Sequence, residues 1–261
     1  MVIVKDNCIG IDDNGYLNLD DLNEVICRAY PREFEIMYEA NRQILQIIEV
    51  IDASRTDRIG LFLLSVFIQI HKLFQSAIIL LARGLEEQAK AILRILLERL
   101  MIIAAVNNNP QNYDRWILNQ EKERKRLIDN VRNNKPGVGH LEDEIKDIEM
   151  PKECEGMTFK KWAMEAGMEE RYYREYSYLS GHVHYSMEAY RETEIVENGE
   201  FIGLSMAPRY REVRYLAISA MEFLKDAVLI IGDYFKCDKA IVNSIETLYN
   251  KKSMDTEQNR R

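Results

Sequence analysis

The sequence predicts an all-α protein, a bundle of about six or seven helices. Only 12 Gly and 5 Pro occur among its 261 residues, and a sandwich or barrel of many short strands needs more of these turn-forming residues. Long segments instead repeat apolar residues every three or four positions, which is the spacing of a buried helix face. Hydrophobic residues make up 47% of the chain and charged residues 30%. This mixture excludes the disordered and low-complexity classes.

The first half of the chain is predicted to contain an N-terminal arm and several helices. In the arm, residues 1–20, the segments VIVKDN and YLNL flank the turn-rich DDNG and could form a small hairpin. Apolar residues then recur at helical spacing over 22–51, where Pro31 marks the start of a new helix. Two further helices follow, at 57–83 and 85–106.

A highly charged stretch lies in the middle of the chain. Residues 113–132 carry too many charges to be buried, so they are predicted to form a helix that projects from the bundle. A mobile loop is expected at 133–150, where NNKPGVG precedes an acidic stretch.

The remaining elements complete a single domain. They are predicted as three helices, at 158–166, 169–191 and 212–235. Before the last of them, EIVENGEFIGLS has the centre of a hairpin at Asn198-Gly199. Because no repeat and no strong composition shift divides the chain, residues 1–250 are expected to form one helical domain. Residues 251–261 are expected to be a disordered tail.

One segment, 59–82, is apolar enough to resemble a membrane span. It contains His71 and Lys72 near its middle, and a charge at that depth costs about 2.5–3.5 kcal/mol on insertion. We therefore expect a buried core helix and no membrane partner. The four cysteines are widely spaced and the N-terminus lacks the pattern of a signal peptide, so we expect reduced thiols in a cytoplasmic protein.

A polar stripe on the helix 85–106 is the first candidate for chemistry. Its four residues lie within about 80° of one another around the helix: Glu87, Lys90, Arg94 and Glu98. The other faces are apolar, so we expect Arg94 and Glu98 to be shielded from water and paired. Two interpretations stay open, an ion pair that fixes the register of the bundle and one wall of a functional cleft.

A second polar stripe, on the helix 169–191, could supply the facing wall. Its members share one helix face: Tyr173, Ser177, Ser180, His184 and Arg191. His182 lies about 200° from His184 around an α-helix, so at most one of the two faces a given pocket unless the helix breaks. Since the imidazole pKa lies near neutrality, His184 suits proton transfer. The alternative is a histidine that only bridges hydrogen bonds among tyrosines.

These two stripes resemble the motifs of a known group of proteins. The run ARGLEEQAKAILRILLERL with its Arg-x-x-x-Glu, a short Phe-containing helix, and a later Tyr with Ser-x-x-x-His are similar to an uncharacterised all-helical bacterial family of unknown function. The resemblance covers roughly residues 60–190. The matching positions are Arg94, Glu98, Phe159, Tyr173, Tyr176, Ser180 and His184. The resemblance supports this set of residues as a candidate site and implies no activity. It ranks His182 behind His184.

A more distant similarity is to the helical HEPN ribonucleases, which pair Arg and His from an Arg-x(4–6)-His motif. In this chain seven residues separate Arg174 from His182 and nine separate it from His184, so that spacing is absent. The Arg, Glu, Tyr and His side chains on facing helices still suit metal-independent RNA cleavage, with His184 as general acid or base and Arg94 stabilising the phosphorane. The net charge of −8 opposes phosphate binding. A basic patch at 122–132 is either a local phosphate attractor or a solvated face.

No motif predicts a metal or a cofactor, because phosphate-binding loops, dinucleotide fingerprints, zincin motifs and Glu-x-x-His pairs are all missing from the sequence. Two functions remain as alternatives. One is a HEPN-like, metal-independent RNA-processing or toxin-type defence effector, and the other is a non-catalytic helical module that binds a partner protein or small ligand in the same cleft. The candidate residues are His184, Arg94, Glu98, Tyr173, Ser180 and His182. The expected partners are RNA or another protein, and self-association is left open.

Overall fold

The structure, a computed structural model, confirms the all-α class. It describes residues 3–4, 19–134, 157–183, 187, 191, 194–205 and 210–258. Within these ranges the first five helices are α1 (Leu19–Ala29), α2 (Pro31–Val50), α3 (Arg58–Leu81), α4 (Glu86–Asn108) and α5 (Gln111–Asn134). The later helices are α6 (Phe159–Ala166), α7 (residues 169–183), α8 (Val213–Phe235) and α9 (Lys239–Gln258).

These nine described helices exceed the predicted six or seven. Two of the breaks between them differ in this respect: the sequence predicts the one at Pro31, whereas the helix that follows the other, α9, was not predicted. The first break falls at Tyr30, directly before Pro31, whose ring lacks an N–H and is accommodated at a helix start. The second falls at Lys236, which adopts a left-handed conformation with φ of 53° and ends α8. The last helix, α9, continues to Gln258, past the point where the sequence predicts a tail.

Side-chain caps fix several helix ends where the sequence predicts them. Asp57 accepts a hydrogen bond from the Gly60 N–H at 2.7 Å at the start of α3. Thr158 accepts one from the Lys161 N–H at 3.3 Å at the start of α6. The predicted end of α6 at Gly167 is confirmed, because this residue has a φ of 68°, which glycine adopts without strain.

The centre of the bundle consists of α3, α4 and α8. Each buries a long row of apolar side chains, among them Phe67, Leu97 and Phe223, all with 0% exposure. At the edge of this core α8 meets α9, where a Cβ on Gly232 would lie 2.5 Å from Val242 Cγ2. Glycine therefore sets how closely these two helices approach.

Helix α3 is the predicted core helix 59–82. Among the described residues it is the one helix that length and composition would allow to cross a membrane, with a mean hydropathy of 1.6, and 50% of its apolar window is buried inside the protein. Its His71 is 4% exposed and its Nε2 lies 2.7 Å from Asn41 Oδ1 on α2. Burial also holds the pKa of His71 below its ordinary value, as expected for a core residue.

Helix α5 is the predicted charged helix. Its first turns pack on α3, since the rings of Tyr113 and Trp116 lie 5.1 and 4.7 Å from that of Phe62. Farther along, exposed side chains such as Leu127 predominate. The helix includes residues 133 and 134, and the rest of the predicted loop 133–150 lies outside the described residues.

A small sheet accompanies the helices. Strands β2 (Glu194–Glu197) and β3 (Glu200–Ser205) pair antiparallel around Asn198-Gly199, whose positive φ values of 52° and 84° suit a tight hairpin turn. This hairpin was predicted and is confirmed. Strand β1 (Ile3–Val4) pairs in parallel with β3, and residues 16–18 of the predicted N-terminal hairpin lie outside the described residues. The backbone groups at the edge of β3 are available for this pairing. Most of the arm 1–20 lies outside the described residues.

Candidate functional site

The polar stripe of α4 faces α7, as the two-wall prediction requires. The stripe interrupts an otherwise apolar helix, so Lys90 and Glu98 are only 0% and 8% exposed. Each stripe residue contacts a polar side chain of α7, so sequence periodicity placed this wall correctly. Together with Glu212 near the start of α8 and Glu86 at the start of α4, these side chains form the α4–α7 interface, whose members are Glu86, Glu87, Lys90, Arg94, Glu98, Tyr176, Tyr178, His182 and Glu212.

Arg94 and Glu98 form an ion pair that Tyr176 completes. Arg94 Nη2 lies 2.9 Å from Glu98 Oε1 and donates to the Tyr176 hydroxyl at 3.3 Å. This hydroxyl in turn donates to Glu98 Oε1 at 3.2 Å. The side chains of Arg94 and Glu98 are 20% and 10% exposed, so the prediction that they are shielded and paired is confirmed. Burial lowers the pKa of Arg94, but the hydrogen bond to Tyr176 and the charge of Glu98 outweigh it and the pKa is raised.

Lys90 lies at the centre of a second group, one turn toward the start of α4. Its Nζ is 2.8 Å from Glu87 Oε1 and 2.6 Å from Glu212 Oε2. It also lies 3.4 Å from His182 Nδ1, which is itself 3.1 Å from Glu87 Oε2. A lysine with 1% side-chain exposure requires such partners, because an unpaired buried charge is very costly.

Tyr178 and Glu86 close this group on the side of α8. The Tyr178 hydroxyl donates to Glu212 Oε2 at 2.9 Å, and burial together with this bond raises the pKa of Tyr178 well above its ordinary value. The Glu212 N–H, at the start of α8, donates to Glu86 Oε1 at 2.7 Å. Burial raises the pKa of Glu86. Sequence patterns missed Tyr178, Glu86 and Glu212 because their contacts join residues far apart in the chain.

The face that α7 turns toward α4 differs from the predicted one. Tyr173 is 57% exposed and Ser177 is exposed as well, so neither side chain is buried against α4. The reason is a π-helical turn, Tyr172–Tyr176, between the α-helical parts Glu169–Arg171 and Ser177–Val183. A π-turn contains more residues than an α-helical turn, so it rotates the face presented by the residues after it. The stacked rings of Tyr172 and Tyr176, 5.0 Å apart, pack on the bundle instead.

The remaining predicted residues fall in different places. Ser180 lies on α7, where its Oγ is buried and has no hydrogen-bond partner among the described residues. His182, ranked second by sequence, contacts Glu87 and Lys90 and has 3% side-chain exposure. His184, the preferred histidine, lies outside the described residues. The Phe159 ring lies 5.9 Å from the Tyr176 ring, so Arg94, Glu98, Phe159 and Tyr176 of the family motif are clustered.

The charge of the interface is negative on balance. The described carboxyl groups are Glu86, Glu87, Glu98 and Glu212, against the cations Lys90 and Arg94. Water reaches this interface, since the side chains of Glu87 and Glu212 are 41% and 36% exposed. In the part of the chain that the structure describes, no group of three or more His, Cys, Asp or Glu side chains is arranged to hold a metal ion.

This geometry defines the class of the protein: it is a helical bundle with a polar interface between two of its helices, α4 and α7. The chain belongs to the family of unknown function DUF5677, whose model matches residues 61–201. The matched region runs from α3 into β3 and contains both walls of the interface, which confirms the resemblance to an uncharacterised family. Searches of curated proteins and of solved structures gave no match. Nothing in the comparisons relates the chain to the HEPN ribonucleases.

Proposed function

We propose that the protein is a non-catalytic helical module that binds a small ligand at the α4–α7 interface through an uncharged acceptor oxygen, such as an amide carbonyl. The observation that carries this proposal is a buried polar atom without a hydrogen-bond partner on each of the two helices, α4 and α7. Arg94 Nε and Ser180 Oγ are both buried and lack hydrogen-bond partners among the described residues. Buried donors in this state are rare in folded proteins and are favourable sites for an acceptor.

The charges around these two atoms favour a neutral ligand. Arg94 is already paired with Glu98, and the carboxyl groups of the interface outnumber its cations. An added phosphate or carboxylate would be repelled by these carboxyl groups. A carbonyl oxygen can accept from Arg94 and Ser180 without adding charge.

The test is calorimetric titration with N-acetyl amino-acid amides and nucleosides, and with inorganic phosphate as the charged comparison. We expect a neutral probe to bind and Ser180→Ala to weaken it about five- to tenfold, the effect of one hydrogen bond. Arg94→Lys should also weaken binding, since lysine keeps the charge beside Glu98 but has no Nε donor. Ser177→Ala is the matched control, because Ser177 is exposed on the same helix. Tighter binding of phosphate than of every neutral probe would contradict the proposal.

A second candidate function is metal-independent RNA cleavage, which the contact between His182 and Glu87 favours. A carboxylate 3.1 Å from an imidazole nitrogen can orient the ring, and general acid–base catalysis requires an oriented ring. In this proposal His182 moves the proton, in place of or together with His184, and Arg94 stabilises the charge of the phosphorane. The excess of carboxyl groups makes it the weaker candidate.

Incubation with total RNA and tRNA in EDTA separates the two functions. If the protein cleaves RNA, His182→Ala or His184→Ala should reduce the rate about 10²–10⁴-fold while circular dichroism shows an intact fold. A binding module has no turnover to lose. Cleavage that continues undiminished in both folded histidine variants would point to a contaminant and end the catalytic proposal.

We place this function in the cytoplasm. Cys27 and Cys237, the cysteines within the described ranges, are free thiols, and free thiols are typical of reducing compartments. Burial raises the pKa of both thiols, so they are poorly reactive and are not part of the proposed site.

A further inference from the structure

A second group of ionisable side chains joins α7 to α8, apart from the α4–α7 interface. Arg171 Nη2 lies 2.9 Å from Glu222 Oε1 and 2.6 Å from Asp226 Oδ2. Lys225 Nζ is 3.4 Å from Asp226 Oδ1. These side chains are between 19% and 29% exposed. Two cations and two carboxylates are therefore paired in a region of limited hydration.

Glu175 adds a third carboxyl group to this cluster. Its Oε2 is buried without a hydrogen-bond partner among the described residues, and so is Arg171 Nη1. Burial raises the pKa of Glu175, and the charges of Glu222 and Asp226 raise it further, whereas Arg171 and Arg174 act in the opposite direction. With Glu175 neutral the cluster is balanced, and its ionisation adds a buried negative charge that has no cation of its own.

The remaining ionisable neighbours do not supply that cation. On α7, Arg174 is exposed and pairs with Glu170 at 2.9 Å. On α8, Lys225 is engaged by Asp226, and its Nζ lies 4.6 Å from the Tyr249 ring of α9. Burial raises the pKa values of Tyr215 and Tyr249, and the charge of Glu175 contributes to both.

Glu175 directly precedes Tyr176 in the π-helical turn. We propose that Glu175 is a proton-sensitive switch for this turn: ionisation of its buried carboxyl group loosens the turn and withdraws the Tyr176 hydroxyl from Arg94 and Glu98. The turn connects the two events because the two residues are consecutive in it: Glu175 interacts electrostatically with Arg171, Glu222 and Asp226, and the Tyr176 hydroxyl contacts Arg94 and Glu98. Regulation of ligand binding by this switch rests on the proposed function, whereas the conformational change itself does not.

The sign of the pH dependence follows from the direction of the pKa shift. Because the pKa of Glu175 is higher in the folded protein than in the unfolded chain, its contribution to stability is complete at low pH. It is lost as the pH rises through the folded pKa. Glu175→Gln, which cannot ionise, should keep this contribution at high pH.

The experiment compares melting temperatures of wild type, Glu175→Gln and Glu170→Gln between about pH 4 and pH 9, without ligand. We expect Glu175→Gln to melt about 2–4 °C above wild type at pH 8, and the difference to vanish near pH 4. Glu170→Gln is the matched control, since Glu170 is 79% exposed on the same helix, and should follow wild type. Glu175→Met provides a second uncharged variant.

Hydrogen exchange on the wild-type protein provides an independent readout. Peptides covering residues 172–180 should lose protection between pH 5 and pH 8, after correction for intrinsic rates, and Glu175→Gln should retain it. Two results together would overturn the switch. The melting temperatures of Glu175→Gln and Glu175→Met would differ from wild type equally at every pH, or not at all. Protection in wild type would not change with pH. Failure of the ligand titrations alone would overturn the proposed function and leave the switch intact.

Discussion

Replacing Lys90 with Ala is expected to lower the free energy of unfolding by about 3–5 kcal/mol, the usual cost of removing one partner from a buried ion cluster. Lys90 is fully buried and contacts Glu87 and Glu212. Without it these carboxylates and the buried Glu86 have no adjacent ammonium group, and the space of its alkyl stem is left unfilled. The change should lower the melting temperature by roughly 6–20 °C in a thermal melt followed by circular dichroism.

Two further variants identify the source of this loss. Lys90→Met keeps most of the stem volume and removes only the charge, so a melting temperature equal to wild type would show that packing alone matters. Lys160→Ala is the control for an exposed lysine and should change stability by less than about 0.5 kcal/mol. If Lys90→Ala also melted like wild type, the buried cluster would have no structural role.

Glu98→Ala is expected to have the next largest effect, about 3 kcal/mol or roughly 6–12 °C in melting temperature. The variant leaves Arg94, with only 20% side-chain exposure, without its counter-charge, and it removes the acceptor of the Tyr176 hydroxyl. The loss should fall at the lower end of the range for buried pairs because Arg94 still donates to Tyr176.

Glu24→Ala is the matched control for this second change. Glu24 pairs with Arg28 across the same four-residue spacing, but both side chains are more than half exposed, so the cost should be only about 0–1 kcal/mol. Glu98→Gln, which retains an acceptor, should recover part of the stability. Equal losses in Glu24→Ala and Glu98→Ala would mean that the Arg94 pair is solvated in solution.

The sequence predicted one wall of the site well because that wall depends on a regular period. Residues at positions 87, 90, 94 and 98 share a face in any regular α-helix, and α4 is a continuous α-helix over Glu86–Asn108. The apolar residues around them also determine that this face is buried and that Arg94 requires Glu98. The local sequence pattern and the tertiary structure agree here, so the pattern alone was sufficient to predict this wall.

The other wall could not be predicted in the same way. The rule of 100° per residue assumes an α-helix, and the π-turn Tyr172–Tyr176 breaks that assumption just before the residues in question. It assigned Tyr173 to the interface, whereas Tyr176 and His182 contact α4. The partners Glu86 and Glu212 lie 126 positions apart. No short-range pattern relates two such residues, and only the packing of α8 against α4 brings them together.

The central packing of α3, α4 and α8 also determines when the core can form during synthesis. Helices α3 and α4 are neighbours in sequence and can pair as soon as they leave the ribosome, whereas α8 follows about 100 residues later. At translation rates of about 5–20 residues per second, the apolar surface that α8 covers is exposed for roughly 5–20 s. That surface belongs in part to the most membrane-like helix of the described chain. The nascent chain is therefore expected to need a chaperone during this interval, although the finished bundle buries the same residues.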